Sequence, residues 1–271
     1  MFTAKLTALL ALAAAAAAMP LVNETETPTP PYIPSLTVRS PQTSSAGHTS
    51  MALQSFDCGN PVNGLSRDDC NYLSQIGFAG FGQNPTGDSN IWIGDNGPNV
   101  FTFTNQASVD VTLVLWDQAL GFASSFVAAN PPKITYSIPR GGSVKLSLQN
   151  GVSGGYSAIY RGQTKLSQWG QVGNTWGEFT TGDHATINIS REINMSGNTF
   201  VAKVSTGCVA DMTRCSFVCK NGANTCGDSG SYDLIGCSDQ PNGAVGWWDN
   251  NPAGGCQGWS NGSGRIDAQF L

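Results

Sequence analysis

Alternation of apolar and polar residues dominates the middle of this chain. Segment 100–105 places Phe101 and Phe103 on one side and Val and Thr residues on the other, and segment 109–116 alternates similarly. Because successive side chains of a strand point to opposite faces, a period of two predicts β-strands. The same reasoning predicts strands at 133–138, 143–149, 156–161, 176–180, 186–189, 199–205 and 265–271.

Turn-forming sequences separate these predicted strands. Clusters of Gly, Pro, Asn and Ser occupy 139–142, 150–151, 154–155 and 196–198, and such residues favour tight turns. Helical periodicity sustained over ten or more residues does not occur in 98–205. Many short strands with regular turns predict a mostly β fold, an antiparallel sandwich or barrel, to which the last strand returns.

The N-terminal part has a different pattern. Lys5 precedes an Ala-rich apolar run, so 1–18 is interpreted as a signal peptide, with a buried Ala-rich helix as the alternative. Residues 19–54, rich in Pro, Thr and Ser, are interpreted as a linker or pro-segment. Residues 55–97 form a small extension in which a helix is predicted to start near Asp68 and Asp69. We expect a secreted protein, extracellular or associated with a cell wall.

Composition excludes some classes of binding partner. Only 11% of the residues are charged, 33 are Gly, and the net charge is −5. A chain without a basic patch is not expected to bind nucleic acid, and no later segment has the length and apolarity of a membrane span. The expected partner is therefore a polysaccharide or an extracellular protein. The protein itself is expected to be a monomer.

Cysteines supply the second framework. The chain has eight, and an even number behind a signal peptide predicts four disulfides. Because 71–207 contains none, Cys58 and Cys70 are predicted to pair locally and the others among themselves, in unspecified order. The other six, in a loop region at 207–262, are Cys208, Cys215, Cys219, Cys226, Cys237 and Cys256. Zinc is not expected, because no Cys-x2-Cys pair exists and both histidines lie far from the cysteines; no cofactor is expected.

Several segments of 98–271 occur in the order of a known family. They are 102–108 followed by Trp116, Pro-Arg-Gly-Gly-Ser at 139–143, 154–161, Trp-Gly-Glu-Phe-Thr at 176–180, and 187–195. Together they resemble the thaumatin-like proteins, in a divergent form of fungal type, which implies a thaumatin-like β-sandwich. The family has about twice as many cysteines. Its opening-strand cysteine is Ala107 here, and the C-terminal partner is also missing, since the chain ends Phe270-Leu271.

The resemblance implies an acidic cleft that binds, and in some members cleaves, β-1,3-glucan. Arg161 and Glu178 match the cleft Arg and Glu, whereas Asn188 stands where the family usually has Asp. Glu192 is nearest to the next family Asp, and Asp211 or Asp233 would supply the last. Glycoside hydrolysis requires two carboxyl groups, and Glu178 and Glu192 are the candidate pair. Alternatively, Glu178 forms a purely structural ion pair with Arg161.

The C-terminal region adds possible binding residues. Trp247 and Trp248 could stack on sugar rings, or instead fill the interior of the loop region. Gly-Asp-Ser-Gly at 227–230 is read as a turn, because no suitable His base accompanies it. Sequons mark Asn23, Asn194 and Asn261 as glycosylation candidates, and Asn188 as one if its side chain faces water.

Two functions follow as expectations from these residues and from the resemblance. The first is a non-catalytic protein of effector or defence type that binds cell-wall β-glucan or an extracellular protein. The alternative is a weak endo-β-1,3-glucanase that uses an acidic cleft.

Overall fold

A computed structural model describes residues 57–117, 131–248, 250–260 and 263–271. The predicted signal peptide and linker lie outside these residues. The described residues are mostly β-strand, arranged in two multi-stranded sheets with a disulfide-rich C-terminal region, which agrees with the predicted β-sandwich. No helix in these ranges has the length and apolarity needed to cross a membrane.

One α-helix and fifteen strands make up the described part of the chain. They are α1 (Arg67–Gln75), β1 (Ile91–Ile93), β2 (Asn99–Asn105), β3 (Val111–Asp117), β4 (Ile134–Ile138), β5 (Ser143–Leu148), β6 (Ser153–Tyr160), β7 (Trp176–Thr180), β8 (Thr186–Ser190), β9 (Phe200–Val204), β10 (Val209–Ala210), β11 (Ser216–Cys219), β12 (Tyr232–Ile235), β13 (Gly243–Trp248), β14 (Asn251–Gln257) and β15 (Gly264–Phe270). Every strand predicted from alternation is present, with ends shifted by up to three residues.

The smaller sheet has the order β1-β5-β2-β15-β9-β10. β15, the last strand, lies between β2, with which it is parallel, and β9, with which it is antiparallel. The return of the chain end to the main sheet is therefore confirmed. The larger sheet has the order β12-β11-β8-β7-β6-β3-β4, and the β13–β14 hairpin joins it through β8.

The main core lies between the two sheets. Its aromatic centre includes Phe103 against Tyr156, with ring centroids 4.9 Å apart, and Phe200 against Phe270 at 4.8 Å. Gly177 on β7 makes room for Tyr156, because a Cβ at this position would lie 2.0 Å from the Tyr156 ring. Close packing of this kind fixes which face of each strand points inward.

A second core covers the outer face of the larger sheet. Val114 and Trp116 from β3 and Trp176 from β7 pack there with Leu73 of α1 and Phe78. The predicted helix starts as expected: Ser66 is its N-cap and accepts a hydrogen bond from the Asp69 backbone N–H. The extension is thus packed on the sandwich, and β3 is buried on both faces.

The cysteine-rich region is more regular than expected. Five strands, β10 to β14, occur within it, which corrects the prediction of a loop region. The expected local bridge forms, and the remaining cysteines pair among themselves as Cys208–Cys256, Cys215–Cys237 and Cys219–Cys226, besides Cys58–Cys70. Cys208, Cys215, Cys237 and Cys256 are in the main core, so these bridges extend that core.

Candidate functional site

Strands β7 and β8 place Glu178 and Asn188 side by side. Glu178 is the antiparallel partner of Asn188, while the neighbouring Phe179 and Ile187 point into the main core. Because side chains alternate along a strand, Glu178 and Asn188 project from the outer face of the larger sheet. The sequence interpretation of Glu178 as pointing away from the sandwich interior agrees with this placement.

Glu192 lies beside Glu178 and Asn188, and it is held there by a hydrogen bond from Ser190 at the end of β8. The Ser190 hydroxyl donates a hydrogen bond to Glu192 Oε2 at 2.9 Å, and the Asn188 and Ser190 side chains lie close enough to the Glu178 carboxyl group to act against the rise in its pKa. One hydroxyl therefore lies close to both carboxyl groups. We call Glu178 and Glu192 the glutamate pair.

The glutamate pair is buried. Glu178 is 7% exposed and Glu192 is 2% exposed. Burial raises the pKa of Glu192 to about 8, and burial together with the Glu192 charge raises the pKa of Glu178 well above its ordinary value. Burial favours the neutral form of a carboxyl group, and two adjacent carboxylates repel each other. Glu192 therefore holds its proton at neutral pH, and the pKa of Glu178 is shifted in the same direction.

Few polar or charged side chains compensate the carboxyl groups of the glutamate pair. The neighbouring Arg191 directs its guanidinium to the carbonyl oxygens of Met195 and Met212, and neither glutamate forms an ion pair with a described basic residue. Within the described ranges, Glu192 Oε1 and Asn188 Oδ1 are buried without a hydrogen-bond partner. The arrangement stores protons, as an acid catalyst does, but exposes little of either carboxyl group to a substrate.

Arg161 lies elsewhere. Its guanidinium is 3.2 Å from Asp68 Oδ2, 3.3 Å from Asp110 Oδ2 and 3.7 Å from Asp69 Oδ1. Glu178 pairs with Gly155 on β6, and at ~3.3 Å per residue Arg161 is about 20 Å further along that strand. The structure thus does not form the expected Arg161–Glu178 ion pair, nor their shared cleft.

Two of the acidic partners of Arg161 come from the predicted extension. Its helix α1 packs on the outer sheet face and presents Asp68 and Asp69 to Arg161, so that the arginine is neutralised locally. We call Arg161 with Asp68, Asp69 and Asp110 the arginine cluster. Two acidic residues at a helix N-terminus were a visible sequence signal, but their arginine partner was not.

The other sequence candidates do not join the glutamate pair. Asp233 pairs with Lys220 at 3.1 Å, and Asp211 pairs with Arg214. The Asn194 amide nitrogen donates to the Gly173 carbonyl oxygen at 3.0 Å. Asn188 is buried, so its sequon does not face water. The glycosylation candidates Asn23 and Asn261 fall outside the described residues.

Trp247 and Trp248 lie on the exposed strand of a hairpin whose other strand is buried. On β13, Trp247 is 66% exposed, Trp248 40% and Val245 49%. The strand behind it is tightly packed: Gly254 of β14 has φ +138, and a Cβ there would lie 2.0 Å from the Ala244 carbonyl oxygen. We call β13 and β14 the aromatic hairpin. Trp247 and Trp248 are exposed on it, in contrast to the interpretation that they fill the interior.

The chain matches no protein-family model and no curated protein sequence. Its resemblance to thaumatin-like proteins therefore stays a proposal that rests on the residues themselves. Three features are the possible bases of a function: the glutamate pair, the arginine cluster and the aromatic hairpin.

Proposed function

We propose that this protein is a secreted, non-catalytic, thaumatin-like protein of defence or effector type that binds a cell-wall polysaccharide such as β-glucan. The observation that carries the proposal is the exposure of Trp247 and Val245, two residues apart on β13. Residues at this spacing share one face of a strand. An indole ring beside an aliphatic side chain offers a flat apolar surface on which the face of a sugar ring can stack.

The position of Ala107 supports the thaumatin-like part of the proposal. The family has a cysteine there, and its partner lies near the C-terminus. In this chain the backbone N–H of Gln106 donates to the Phe270 carbonyl oxygen at 2.8 Å, which brings the two positions close together. Both halves of one family bridge are therefore missing from neighbouring places, as expected when they are lost together.

The disulfides support an extracellular location. All eight cysteines are paired in four bridges, and structural disulfides persist in oxidising compartments such as the extracellular space.

Burial of the glutamate pair favours binding over catalysis. An acid catalyst must come within hydrogen-bond reach of the glycosidic oxygen, and Glu178 and Glu192 expose little surface for such an approach. Their raised pKa values and the nearby Ser190 hydroxyl are the features that support the alternative, a weak endo-β-1,3-glucanase.

Co-sedimentation with insoluble β-1,3-glucan tests the proposal. The intact protein is expected to sediment with the glucan without releasing reducing sugar. Trp247→Ala should weaken binding roughly five- to tenfold, the equivalent of one stacking contact. Trp247→Phe is the matched control, because it keeps an aromatic ring and should retain most of the binding.

Other outcomes distinguish the alternatives. Reducing sugar that is released by the intact protein and lost in Glu178→Gln would establish the glucanase. Full glucan binding by Trp247→Ala would remove the hairpin from the site. Absence of any glucan binding would favour an extracellular protein partner, for which β13 offers an edge: among the described strands it pairs only with β14.

A further inference from the structure

A groove between α1 and residues 161–170 lies outside the surface that the proposed function uses. Its volume is about 1040 Å³, at the upper end of ligand sites in proteins. Asn71 and Gln75 line it from α1, and Lys165 and Gln168 line it from the loop after β6. We propose that this α1 groove is a second binding site, which takes a short neutral oligosaccharide.

The walls of the α1 groove are fixed to each other. Tyr72 Oη of α1 donates to the Thr164 carbonyl oxygen at 2.7 Å, and Arg161 Nη1 is 3.2 Å from Asp68 Oδ2. The Cys58–Cys70 bridge attaches α1 to the preceding loop. A groove held in this way exists before a ligand arrives, which lowers the ordering cost of binding.

The lining combines two chemistries that a sugar needs. Tyr72, Ile76 and Leu166 are half-buried in the lining and supply apolar surface for the C–H faces of a sugar ring. The amides of Asn71, Gln75 and Gln168 are exposed around them. A primary amide both donates and accepts hydrogen bonds, as a sugar hydroxyl does.

Charge favours a neutral ligand. Asp68, Arg161 and Lys165 are the charged residues that line the groove, and the guanidinium of Arg161 is engaged by the carboxylates of the arginine cluster. A phosphate would therefore meet Lys165 as its one unpaired cation among the lining residues, whereas the exposed amides suit a neutral ligand.

The length of the groove indicates an oligomer. The lining residues of α1 run from Asp68 to Gln75, which at 1.5 Å per residue is about 10 Å, and Ile76 and Gly77 extend the lining beyond the helix. Trp169, 38% exposed, lies in sequence between the lining residues Gln168 and Gly170. The groove accordingly accommodates a segment of chain in preference to a monosaccharide.

Titration of the intact protein with soluble hexasaccharides tests this inference. The probes are β-1,3-linked glucose, β-1,4-linked glucose and β-1,4-linked N-acetylglucosamine hexamers, followed by calorimetry and by NMR of side-chain amide groups. We expect shifts at Asn71, Gln75 and Gln168 with at least one hexamer. Gln75→Ala and Gln168→Ala should each weaken its binding roughly three- to tenfold, the value of one hydrogen bond.

Gln163→Ala is the matched control, because Gln163 is an exposed amide in the same loop that does not line the groove. Binding that Gln163→Ala and Trp247→Ala leave intact and that Gln75→Ala weakens would support a site separate from the hairpin. Binding lost in Trp247→Ala but kept in Gln75→Ala would overturn the inference while supporting the proposed function. Failure to bind any of the three hexamers at millimolar concentration would also overturn it.

Discussion

The outer face of the larger sheet carries two sites at which carboxyl groups lie close together, and the two sites differ in how that arrangement is stabilised. In the arginine cluster, three carboxylates surround Arg161 within 3.7 Å. In the glutamate pair, two buried carboxyl groups lie close to the Ser190 hydroxyl and have no described cation. The first site places a guanidinium among its carboxylates, whereas the carboxyl groups of the second are buried and their pKa values are raised.

The two sites also differ in the structural elements that they connect. The arginine cluster connects α1 with Asp110, just before β3, and with Arg161, just after β6, so it holds the extension on the sandwich. The glutamate pair lies within β7, β8 and the residues after β8, and it connects no additional element. Burying two carboxyl groups costs stability, and such a pair often marks a functional site. The low exposure of Glu178 and Glu192, however, favours a role in holding protons over contact with a substrate.

The largest expected effect is on the pH dependence of stability. The pKa of both glutamates is raised in the folded state, so their contribution is fully present below the unfolded pKa, about 4.3, and is lost as pH rises, in the case of Glu192 toward about 8. Each pH unit in that window costs up to about 1.4 kcal/mol for one carboxyl group. Urea unfolding at pH 4.5 to 8.5 should therefore show stability falling with pH.

The matched variant for this prediction is Glu178→Gln/Glu192→Gln, which keeps the shape and removes the titration. Its stability should vary much less across the same pH range. An equal slope in the variant and the parent protein would show that the glutamate pair is not the source.

The next largest effect concerns the extension. Cys58→Ser/Cys70→Ser removes a bridge that closes a loop with a sequence separation of 12, which should cost about 3 kcal/mol. Because α1 carries Asp68 and Asp69, loosening it weakens the arginine cluster without changing any charge there. The pH slope from the glutamate pair should persist, and a slope lost with the bridge would mean that the two sites are coupled.

A smaller effect is expected from the arginine itself. Arg161→Ala leaves Asp69, a buried carboxylate, with only the Ser137 hydroxyl, which donates to its Oδ2 at 2.5 Å. A loss of about 1–3 kcal/mol is expected in chemical unfolding. Asp110→Asn is the control, because this partly exposed partner should contribute no more than about 1 kcal/mol. Equal losses in the two variants would contradict the special role of buried Asp69.

Sequence reasoning located the strands well where alternation was clean. β7 was predicted to the residue, and β2 and β15 to within one residue at each end, because a period of two is a local property. β14, which contains Pro252, Gly254 and Gly255, was missed, since its strand form depends on pairing with β13 and β8. Low β-propensity was overridden there by tertiary contacts.

The candidate site likewise has a part that the sequence predicts and a part that depends on tertiary contacts. Glu178 and Glu192 lie close in sequence on and after adjoining strands, and their proximity could be anticipated. The partners of Arg161 could not, because Asp68 and Asp69 approach it only through the packing of α1 on the sheet. Burial of the glutamate pair was also invisible in the sequence, as it depends on what covers the sheet face.

The smallest and most specific prediction concerns Ser190. Its hydroxyl donates to Glu192 Oε2 and lowers the pKa of that carboxyl group, against the larger effect of burial, which raises it. Ser190→Ala should therefore raise the pKa of Glu192 further, seen as a shift of its carboxyl ¹³C titration to higher pH. The cost in stability should be about 1 kcal/mol, typical of one lost hydrogen bond.

Ser153→Ala is a suitable control, because the Ser153 hydroxyl bonds to Thr180 Oγ1 on the same sheet and touches neither glutamate. It should leave the Glu192 titration in place. If Ser190→Ala lowers the pKa of Glu192 instead, water has entered the site and replaced the hydroxyl with better solvation. The pair would then be accessible to solvent through a one-atom change, and burial of the two glutamates would no longer favour binding over catalysis.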